Sequence, residues 1–442
     1  MLRSFLQVSA AVGALAIIPI TSGAMAGVDT SSYRELDTFM EVYNTVKANY
    51  VDKVDDKTLV KGAIEGMLAA LDPHSSYADG LDFDNLKIQT EGNYGGLGLT
   101  VTQQDGAVKV IAPTEDGPAA KAGIKSGDFI THLDGKFIVG GSLDEAITQM
   151  RGKPGTKIAL TIVRPGADKP LQFTLIREII TQKPVKWEIK DGVGIVNINT
   201  FTAHTGGDTA LAIQAIEKKL GHKPLGYIVD LRENGGGLLT EAIAVADVFL
   251  THGEIVSQRG REKTDIERYY AESVFPGDLA KGLPVIVLTD SGTASASEIV
   301  AGALQDHHRA VVMGVRSFGK GSVQTIMPMG QRAALRLTTA RYFTPSGHSV
   351  QEGGIKPDIV VPQLSDPDYK SRPVLREADL RRHLINQEKV DDSVLEEDTA
   401  TDPRFTATAD ELKKKGVEDF QLNYAVQTIA RLGKTATAST GK

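Results

Sequence analysis

The chain contains 442 residues, of which 41% are hydrophobic and 24% are charged, and its formal net charge is −7. This length exceeds a single hydrophobic core and predicts two to four domains, while the composition is typical of a soluble globular protein. The negative charge argues against nucleic acid as the main partner. Because the sequence has no cysteine, it excludes disulfides, thiolate metal sites, a cysteine nucleophile and an N-terminal lipid anchor on cysteine.

Residues 1–26 have the pattern of a secretory signal peptide. Arg3 supplies the positive charge, Phe5 to Ile20 forms the apolar segment, and Ala24-Met25-Ala26 is a small-x-small cleavage site. An uncleaved anchor is the alternative, but Pro19 and the short apolar run favour cleavage. We therefore expect export to a bacterial periplasm, and the sequence leaves an association with the membrane open.

Residues 27–90 form a predicted N-terminal helical region. Apolar side chains recur at helical spacing from Leu36 to Tyr50 and again from Leu59 to Leu71. The second helix is expected to stop at Asp72-Pro73, because proline disfavours a helical residue before it. We expect both apolar stripes to pack on their own chain, with an oligomer interface as the alternative. We also expect His74 to make structural hydrogen bonds rather than to act in catalysis.

Residues 91–180 change in character to short strands separated by glycine turns. Three strands are predicted, around Val108 to Val110, at Asp128 to Leu133 and at Lys157 to Val163. A helix lies between each pair of neighbouring strands, the first at Pro118 to Gly123 and the second around Leu143 to Met150. This order resembles that of a PDZ domain.

The loop Tyr94-Gly95-Gly96-Leu97-Gly98-Leu99 opens this domain. By the resemblance, the backbone N–H groups of Gly95, Gly96, Leu97 and Gly98 hold the terminal carboxylate of a peptide, and an edge strand pairs with the peptide. Protein substrates bound by their C-terminal peptide are therefore the expected partners. Arg151, in a later turn, is a candidate link between the PDZ ligand and an active site, and a solvated turn charge is the alternative.

Residues 181–362 alternate between predicted strands and helices. A buried strand from Tyr227 to Arg232 runs into the segment Glu233-Asn234-Gly235-Gly236-Gly237. Glycines at the end of a strand leave backbone N–H groups free to meet an oxyanion. A simple turn is the alternative, but it gives no reason for three consecutive glycines.

Ser295 lies where a predicted strand turns into a helix. An apolar run from Leu283 to Leu288 precedes it, and a short amphipathic helix continues to about His307. At such a position the unpaired N–H groups and the helix dipole favour an oxyanion. A serine there is either a helix cap, which is the commoner role, or a nucleophile.

Lys320 stands between two glycines in a tight loop between two strands. The strand–helix–strand arrangement can return this loop to the strand end that carries Ser295. Lowering the pKa of a lysine by about three units takes on the order of 4 kcal/mol, which burial can supply, so Lys320 is a candidate base. Gln324 follows on the same face of an extended strand and is a candidate to orient the amine. A solvated turn is the alternative for an isolated Gly-Lys-Gly.

Together these motifs resemble the carboxyl-terminal processing proteases, also called tail-specific proteases. Their signature is S-x-S-x-S-E followed by F-G-K-G-x-V-Q, and this chain has Thr293-Ala294-Ser295-Ala296-Ser297-Glu298 and Phe318-Gly319-Lys320-Gly321-Ser322-Val323-Gln324. The resemblance implies that Ser295 is the nucleophile, Lys320 the general base and Gln324 its orienting partner.

The resemblance also implies an oxyanion hole formed by the N–H groups of Gly236 and Ala296. The family has Asn-Pro-Gly-Gly where this chain has Asn234-Gly235-Gly236-Gly237. Because Gly235 replaces proline, we expect the loop to be looser here.

The implied fold is an α+β multidomain one. It has N-terminal helices, a PDZ domain inserted before a crotonase/ClpP-like α/β protease core at residues 181–362, and a helical C-terminal extension at residues 363–442. The extension contains a charged linker with the solvated run Glu396-Glu397-Asp398 and a predicted helix from Asp419 to Leu432. This helix docks on the core or on another subunit.

The expected function is that of an exported serine endopeptidase that selects proteins by C-terminal or unfolded segments and needs no metal or other cofactor. A homo-oligomer is expected. The sequence leaves open the substrates, the need for an adaptor protein, and whether the PDZ domain activates or inhibits. The alternative is a catalytically latent PDZ scaffold or adaptor on a protease-like core.

Two other chemistries have weaker support. The segment Gly314 to Lys320 has the spacing of a phosphate loop, but Gly321 replaces the Ser or Thr that would hold magnesium, and a strand follows instead of a helix. For a Ser-His-Asp triad, His307 lies roughly 18 Å from Ser295 along the helix, and His348 is allowed by the fold but has no motif.

Overall fold

The structure is a computed structural model that describes residues 30–271, 274–275, 277–369, 371–386, 402 and 404–439. The predicted signal peptide and the run Glu396-Glu397-Asp398 lie outside the described residues. The chain divides into two units between Gly66 and Met67, and each is described by itself. No helix within the described ranges is long and apolar enough to cross a membrane.

The first unit contains helix α1 (Thr30–Asn49) and most of helix α2 (Asp56–Ala69). Both predicted helices are confirmed, and Lys47 near the end of α1 forms an ion pair with Asp56. Leu36, Phe39 and Met40 are exposed by 58%, 45% and 48%. These three side chains are therefore not covered within this unit, and the prediction that the stripe packs on its own chain stays a prediction.

Beyond the end of α2, the second unit contains a short strand and a helix, neither of which was predicted as a separate element within the helical region of residues 27–90. Strand β1 spans Ser76–Asp79, and helix α3 spans Gly80–Glu91. Gly92 ends α3 in the left-handed conformation, with a φ of 73°, which glycine adopts without strain. The helix has no apolar stripe strong enough to reveal it in the sequence.

The predicted PDZ region is built on an antiparallel sheet with strand order β3-β4-β5-β7-β8, and β6 pairs with β5. Strands β2 and β9 form a separate antiparallel pair. The elements are β2 (Asn93–Gly96), β3 (Leu99–Gln104), β4 (Ala107–Pro113), α4 (Pro118–Lys121), β5 (Phe129–Leu133), β6 (Lys136–Phe137), α5 (Leu143–Met150), β7 (Lys157–Val163), β8 (Leu171–Ile176) and β9 (Glu178–Thr181). Helix α5 packs on the sheet through Ala146 and Met150, which are buried in the domain core. Strand β3 lies at the edge of the sheet, so one side of it is open to a further strand.

The predicted protease core is a six-stranded sheet with order β10-β11-β12-β15-β16-β19. Strand β10 is antiparallel to β11, and the following strands are parallel to one another. The elements are β10 (Val185–Lys190), β11 (Val193–Ile198), α6 (Thr205–Leu220), β12 (Tyr227–Asp230), α7 (Leu239–Asp247), β15 (Val285–Thr289), α8 (Ala296–Asp306), β16 (Val311–Gly314) and β19 (Ile359–Val360).

Helices cover both faces of this sheet. Helices α6, α7 and α8 pack on one face, and the C-terminal helix packs on the other. Strands buried on both faces are apolar without alternation, which explains the run Val-Ile-Val-Leu-Thr in β15, where every residue is buried. Because β12 and β15 are parallel neighbours, the glycine loop after β12 and the serine loop after β15 meet at one edge of the sheet.

A second sheet lies beside the core, with order β1-β18-β13-β14 and with β17 paired to β18. Strands β13 (Glu254–Arg259) and β14 (Ile266–Tyr270) form an antiparallel pair. Strands β17 (Ser322–Pro328) and β18 (Ala333–Phe343) form a long hairpin. This hairpin begins directly after the lysine loop and therefore fixes its end.

The C-terminal extension is folded onto the core. It contains a 3₁₀ turn (Glu377–Asp379), helix α9 (Ala409–Lys414) and helix α10 (Phe420–Ser439). Ala425, Val426 and Ile429 of α10 are buried against the sheet. The sequence left open whether this helix docks on the core or on another subunit, and in the structure it packs on the core of its own chain.

Candidate active site

Ser295 lies immediately before helix α8, at the turn that follows strand β15. Its backbone has a φ of 56° and a ψ of −114°. A helix cap usually has an extended backbone, and a positive φ is uncommon for a residue other than glycine. Strain of this kind is concentrated at functional positions, so the backbone favours a nucleophile over a simple cap.

Glu298 is fully buried, and its carboxylate receives hydrogen bonds from both predicted catalytic loops. Oε2 accepts from the N–H groups of Ser295 (2.7 Å) and Lys320 (3.0 Å). Oε1 accepts from the N–H group of Gly319 (2.7 Å) and the hydroxyl of Ser317 (2.6 Å). A single carboxylate thus holds the serine loop and the lysine loop together.

The sequence analysis included Glu298 in the family signature but assigned it no role. A serine followed three residues later by glutamate is the pattern of a capping box, and the structure does show the glutamate half of that motif, because Glu298 accepts from Ser295 N–H. The pattern could therefore have indicated a contact within the serine loop. The contacts to the lysine loop depend on tertiary structure and had no local signal.

Tyr342 of β18 braces the same junction. Its hydroxyl lies 3.1 Å from the carbonyl oxygen of Ser295 and also contacts that of Lys320. Burial raises the pKa of Tyr342 well above its usual value, so the hydroxyl keeps its proton and remains a donor. The backbones of the two predicted catalytic residues are thereby tied together a second time.

The surroundings of Lys320 shift its protonation. Burial lowers the pKa of Lys320 to about 8, and the positive charge of Arg336 acts in the same direction. The carboxylates of Glu377, Glu298 and Asp72 oppose this change. Burial likewise raises the pKa of Glu298 to about 7, against the effect of its four hydrogen bonds. Lys320 is therefore neutral in part of the population near physiological pH.

A cavity of about 450 Å³ opens over Ser295 and Lys320. Helix α3 borders it through Leu86, Gln89 and Thr90, and strand β17 also contributes lining residues. A second cavity of about 480 Å³ shares the residues Gly235 and Lys320 with the first and is lined further by Glu233, Ser291, Gly292, Ala294, Phe318, Pro373 and Leu375. The open space at the serine thus continues past the lysine, as an extended peptide would require.

The two predicted oxyanion donors are brought close together. A Cβ atom added to Gly236, whose φ is 97°, would lie 2.9 Å from the backbone nitrogen of Ala296. Ala296 is the first residue of α8, so its N–H group has no acceptor within the helix. The N–H group of Gly236, however, donates to Oδ1 of Asn234 at 2.9 Å. The predicted two-donor hole is therefore not preformed, because one donor is engaged within its own loop.

Gly235, which stands where the family has proline, has the most space around it of the three glycines. Gly235 has no atom within 4 Å of the position a Cβ would take, whereas a Cβ at Gly237 would lie 2.2 Å from the carbonyl oxygen of Phe201. Glycine is thus required at Gly236 and Gly237 by close approach, and the position of Gly235 has room for a side chain.

Gln324 lines the same cavity as Lys320, but the predicted hydrogen bond between them is not formed. The side-chain nitrogen of Gln324 donates to the hydroxyl oxygens of Ser322 (2.9 Å) and Thr338 (3.2 Å). The prediction assumed a regular strand. The pairing of β17 with β18 shifts register between Val323 and Gln324, and such a bulge redirects the side chains that follow it.

The predicted carboxylate loop of the PDZ domain presents free donors. Among the described residues, the N–H groups of Leu97 and Gly98 have no hydrogen-bond acceptor. Gly95 approaches the turn after α5 so closely that a Cβ there would lie 2.1 Å from the carbonyl oxygen of Gly152. Gly96 precedes these donors at the end of β2, and the open edge of β3 follows them.

Arg151 connects the PDZ domain to the cavity wall. Its guanidinium donates to the side-chain oxygen of Asn85 in α3 and lies 5.3 Å from the ring centroid of Tyr94. Because α3 lines the cavity over Ser295, the contact joins the PDZ domain to a helix that borders this cavity. Arg151 is half-buried, and its role as a link stays a prediction.

The weaker alternatives find no support in the geometry. The lysine loop leads into strand β17, so no helix N-terminus follows it to hold phosphates. His307 lies at the far end of α8 and contacts the carbonyl oxygen of Glu254 at 2.7 Å, and neither His307 nor His348 lines the cavity over Ser295. Within the part of the chain that the structure describes, no group of three or more potential metal-ligating side chains occurs.

Comparisons with known proteins agree with this architecture. Residues 192–361 match the peptidase family S41, residues 95–175 match a PDZ domain, and residues 20–80 match the N-terminal domain of the activating protease CtpB. A carboxy-terminal-processing protease of Bartonella bacilliformis is 49% identical over 365 residues, which cover 82% of this chain and 83% of that protein. The carboxy-terminal processing protease CtpB of Bacillus subtilis is 34% identical over 405 residues, which cover 90% and 82%.

Among solved structures, a photosystem II D1 C-terminal processing protease has a TM-score of 0.43 and 28% identity, over 78% of this chain and 98% of that chain. The PDZ domain and the S41 core together define a serine-type peptidase. The chain belongs to the carboxy-terminal processing proteases of peptidase family S41. The predicted family, fold class and enzyme class are thereby confirmed.

Proposed function

We propose that this peptidase is an exported endopeptidase that uses Ser295 as nucleophile and Lys320 as general base, on proteins selected by their C-terminal or unfolded segments. The observation that carries the proposal is the Glu298 carboxylate, which accepts from the backbone N–H groups of both residues. A strained serine and a partly neutral lysine thus share one cavity. The signal-peptide pattern of residues 1–26 supports export.

The proposed reaction is acyl transfer. Neutral Lys320 takes the proton of the Ser295 hydroxyl as its oxygen bonds to a peptide carbonyl carbon. The N–H groups of Ala296 and Gly236 stabilise the oxyanion, for which Gly236 exchanges its bond to Asn234 for one to the substrate oxygen. The ammonium of Lys320 protonates the leaving amine as the C–N bond breaks, and water then hydrolyses the acyl-enzyme with Lys320 again as base.

Tail selection is assigned to the PDZ domain. The free N–H groups of Leu97 and Gly98 suit a terminal carboxylate, and the open edge of β3 suits the extended chain before it. Leu99 and Val101 on β3 are partly buried and apolar, which favours apolar residues near the peptide end. A ligand that moved the PDZ domain would also act on α3 through the contact between Arg151 and Asn85.

A latent resting state is the second candidate function, and two observations favour it. The N–H group of Gly236 is engaged by Asn234, and Gln324 is hydrogen-bonded to Ser322 and Thr338 rather than to Lys320. An enzyme in this state would need a bound tail or an adaptor to complete the oxyanion hole. A permanently inactive PDZ scaffold is the limiting case.

The value of kcat/KM for an unfolded test protein is expected to rise with pH through about 8. The pKa of Lys320 is lowered to about 8, the neutral amine is the base, and the neutral fraction grows as pH increases. Below about pH 7 the decline should steepen, because protonation of Glu298 then weakens the link between the two loops. A stopped assay between pH 5.5 and 9.5 measures this profile, and activity that falls as pH rises from 7 to 8.5 would contradict the lysine base.

Replacing Gly98 with valine is expected to raise KM for a substrate with an apolar free C-terminus by about tenfold, with little change in kcat. Gly98 has a φ of 68°, and a Cβ there would lie 3.2 Å from Thr114, so a valine would distort the carboxylate loop. The loss of one hydrogen bond to the charged carboxylate accounts for a tenfold rise in KM. Gly166, with a φ of 85° and open space, supplies the matched control Gly166→Val. Equal cleavage by the wild-type enzyme of free-acid and amidated tails would show that the carboxylate is not read.

A further inference from the structure

The segment that follows the family match at residue 361 returns to the lysine loop. Glu377 lies there in the 3₁₀ turn and is fully buried, with 0% of its surface exposed. Its backbone N–H group donates to the carbonyl oxygen of Phe318 at 3.1 Å. The C-terminal segment is therefore attached to the loop just before Lys320.

The Glu377 carboxylate reaches the other end of the same loop. Oε1 accepts from the side-chain amide of Gln351 at 3.1 Å, and the oxygen of that amide accepts from Gly321 N–H at 3.0 Å. Nε2 of His74 lies 2.8 Å and 2.9 Å from the two carboxylate oxygens. Glu377 thus contacts the chain on both sides of Lys320, directly at Phe318 and through Gln351 at Gly321.

The charges around Lys320 give this contact a chemical consequence. Burial and Arg336 disfavour the ammonium, and Glu377 is the first of the carboxylates that oppose them, before Glu298 and Asp72. On its own side Glu377 faces His74 and the amide of Gln351. Removing only the Glu377 charge should therefore make Lys320 lose its proton at a lower pH.

We propose that Glu377 is a positioning residue for Lys320. It holds the lysine loop on both sides of Lys320, and its carboxylate partly offsets the positive charge of the Lys320 ammonium. The C-terminal segment is thus part of the catalytic machinery. The inference rests on the proposed role of Lys320 as the base. It assigns a function to a residue outside the matched peptidase range of residues 192–361 and outside the core predicted at residues 181–362. His74 is the group that holds the Glu377 carboxylate in place.

The test is the pH dependence of Ser295 sulfonylation by a small sulfonyl fluoride, in which the serine oxygen bonds to sulfur and fluoride leaves; this probe does not need tail capture. The acid limb of the profile is the pH range over which the reaction rate falls as pH decreases. In Glu377→Gln this limb is expected to move to lower pH by about one unit. In Glu377→Asp, which keeps the charge on a shorter side chain, the limb should stay in place while the limiting rate at high pH falls severalfold. Asp379→Asn is the matched control, because this exposed carboxylate lies two residues away in the same turn.

The outcomes separate the two proposals. If Lys320→Met is sulfonylated as fast as the wild type, the lysine base is wrong and the role of Glu377 falls with it. If Lys320→Met is inert but Glu377→Gln and Asp379→Asn both keep the wild-type limb, only the inference about Glu377 is overturned. Should Glu377→Gln fail to fold in a melting experiment, Glu377→Asp decides, since an unchanged limiting rate in that variant contradicts positioning.

Discussion

Replacing Lys320 with methionine is expected to reduce proteolysis at least 10³-fold while leaving the melting temperature close to that of the wild type. Methionine fills the buried space without a charge, so no cavity and no unpaired ammonium are created. Without a base, the Ser295 hydroxyl keeps its proton, and base catalysis of this kind contributes about 10² to 10⁴ to the rate. Cleavage of an unfolded protein, followed by gel and by mass spectrometry, measures the loss.

Ser295→Ala should be inactive to the same degree, and the double variant no worse than either single one, because residues that act as one unit are not additive. The exposed residues Lys183 and Ser126 supply the control variants Lys183→Met and Ser126→Ala, which should cleave at the wild-type rate. If Lys320→Met keeps its activity, a group other than Lys320 must act as the base. Activity retained in Ser295→Ala would end the acyl-enzyme proposal.

The fold was predictable because its elements carry local signals. The apolar run from Leu283 to Leu288 predicted β15 to within two residues at each end, and the predicted helix from Asp419 to Leu432 is α10, which starts one residue later and continues to Ser439. Their arrangement follows from general rules, since parallel strands joined by helices place their loops at one edge of the sheet. Helix α3 was missed, because its exposed and partly buried residues form no clear stripe.

Whether the predicted contact of a site residue is formed depends on how regular the backbone around that residue is. Ser295, Lys320 and Ala296 are placed by the ends of well-formed elements and do come together. The expected contact from Gln324 failed at a single bulge in β17. Gly236 reaches Ala296, but a neighbouring side chain, that of Asn234, occupies its donor. A one-residue irregularity or one local hydrogen bond is invisible in a motif.

The groups that tune Lys320 could not be found from spacing at all. Asp72, Arg336 and Glu377 belong to three segments that are far apart in the sequence, and they act on Lys320 together only because the chain folds around it. No motif of the sequence analysis joined them. Burial of a charge is a property of the whole packed structure, so the direction of the lysine shift could be anticipated and its sources could not.

Glu298→Ala is expected to lower the free energy of unfolding by about 3 kcal/mol or more and to lower kcat at least 10²-fold. Four donors would lose their acceptor, namely the N–H groups of Ser295, Gly319 and Lys320 and the hydroxyl of Ser317, and a buried unpaired polar group costs about 1–3 kcal/mol. The serine and lysine loops would then separate, and small displacements of reacting groups are costly in rate. Chemical denaturation and kinetics at a temperature where the variant stays folded measure both effects.

Asp247 provides the control that separates stability from catalysis. It is also a fully buried carboxylate, and it accepts from the N–H groups of Val274 (2.7 Å) and Phe275 (2.9 Å) away from the cavity. Asp247→Ala should therefore lose stability as Glu298→Ala does, yet keep the wild-type kcat per folded molecule. If the two variants lose kcat equally, Glu298 acts through global stability alone, and the shared carboxylate does not set the geometry of Ser295 and Lys320.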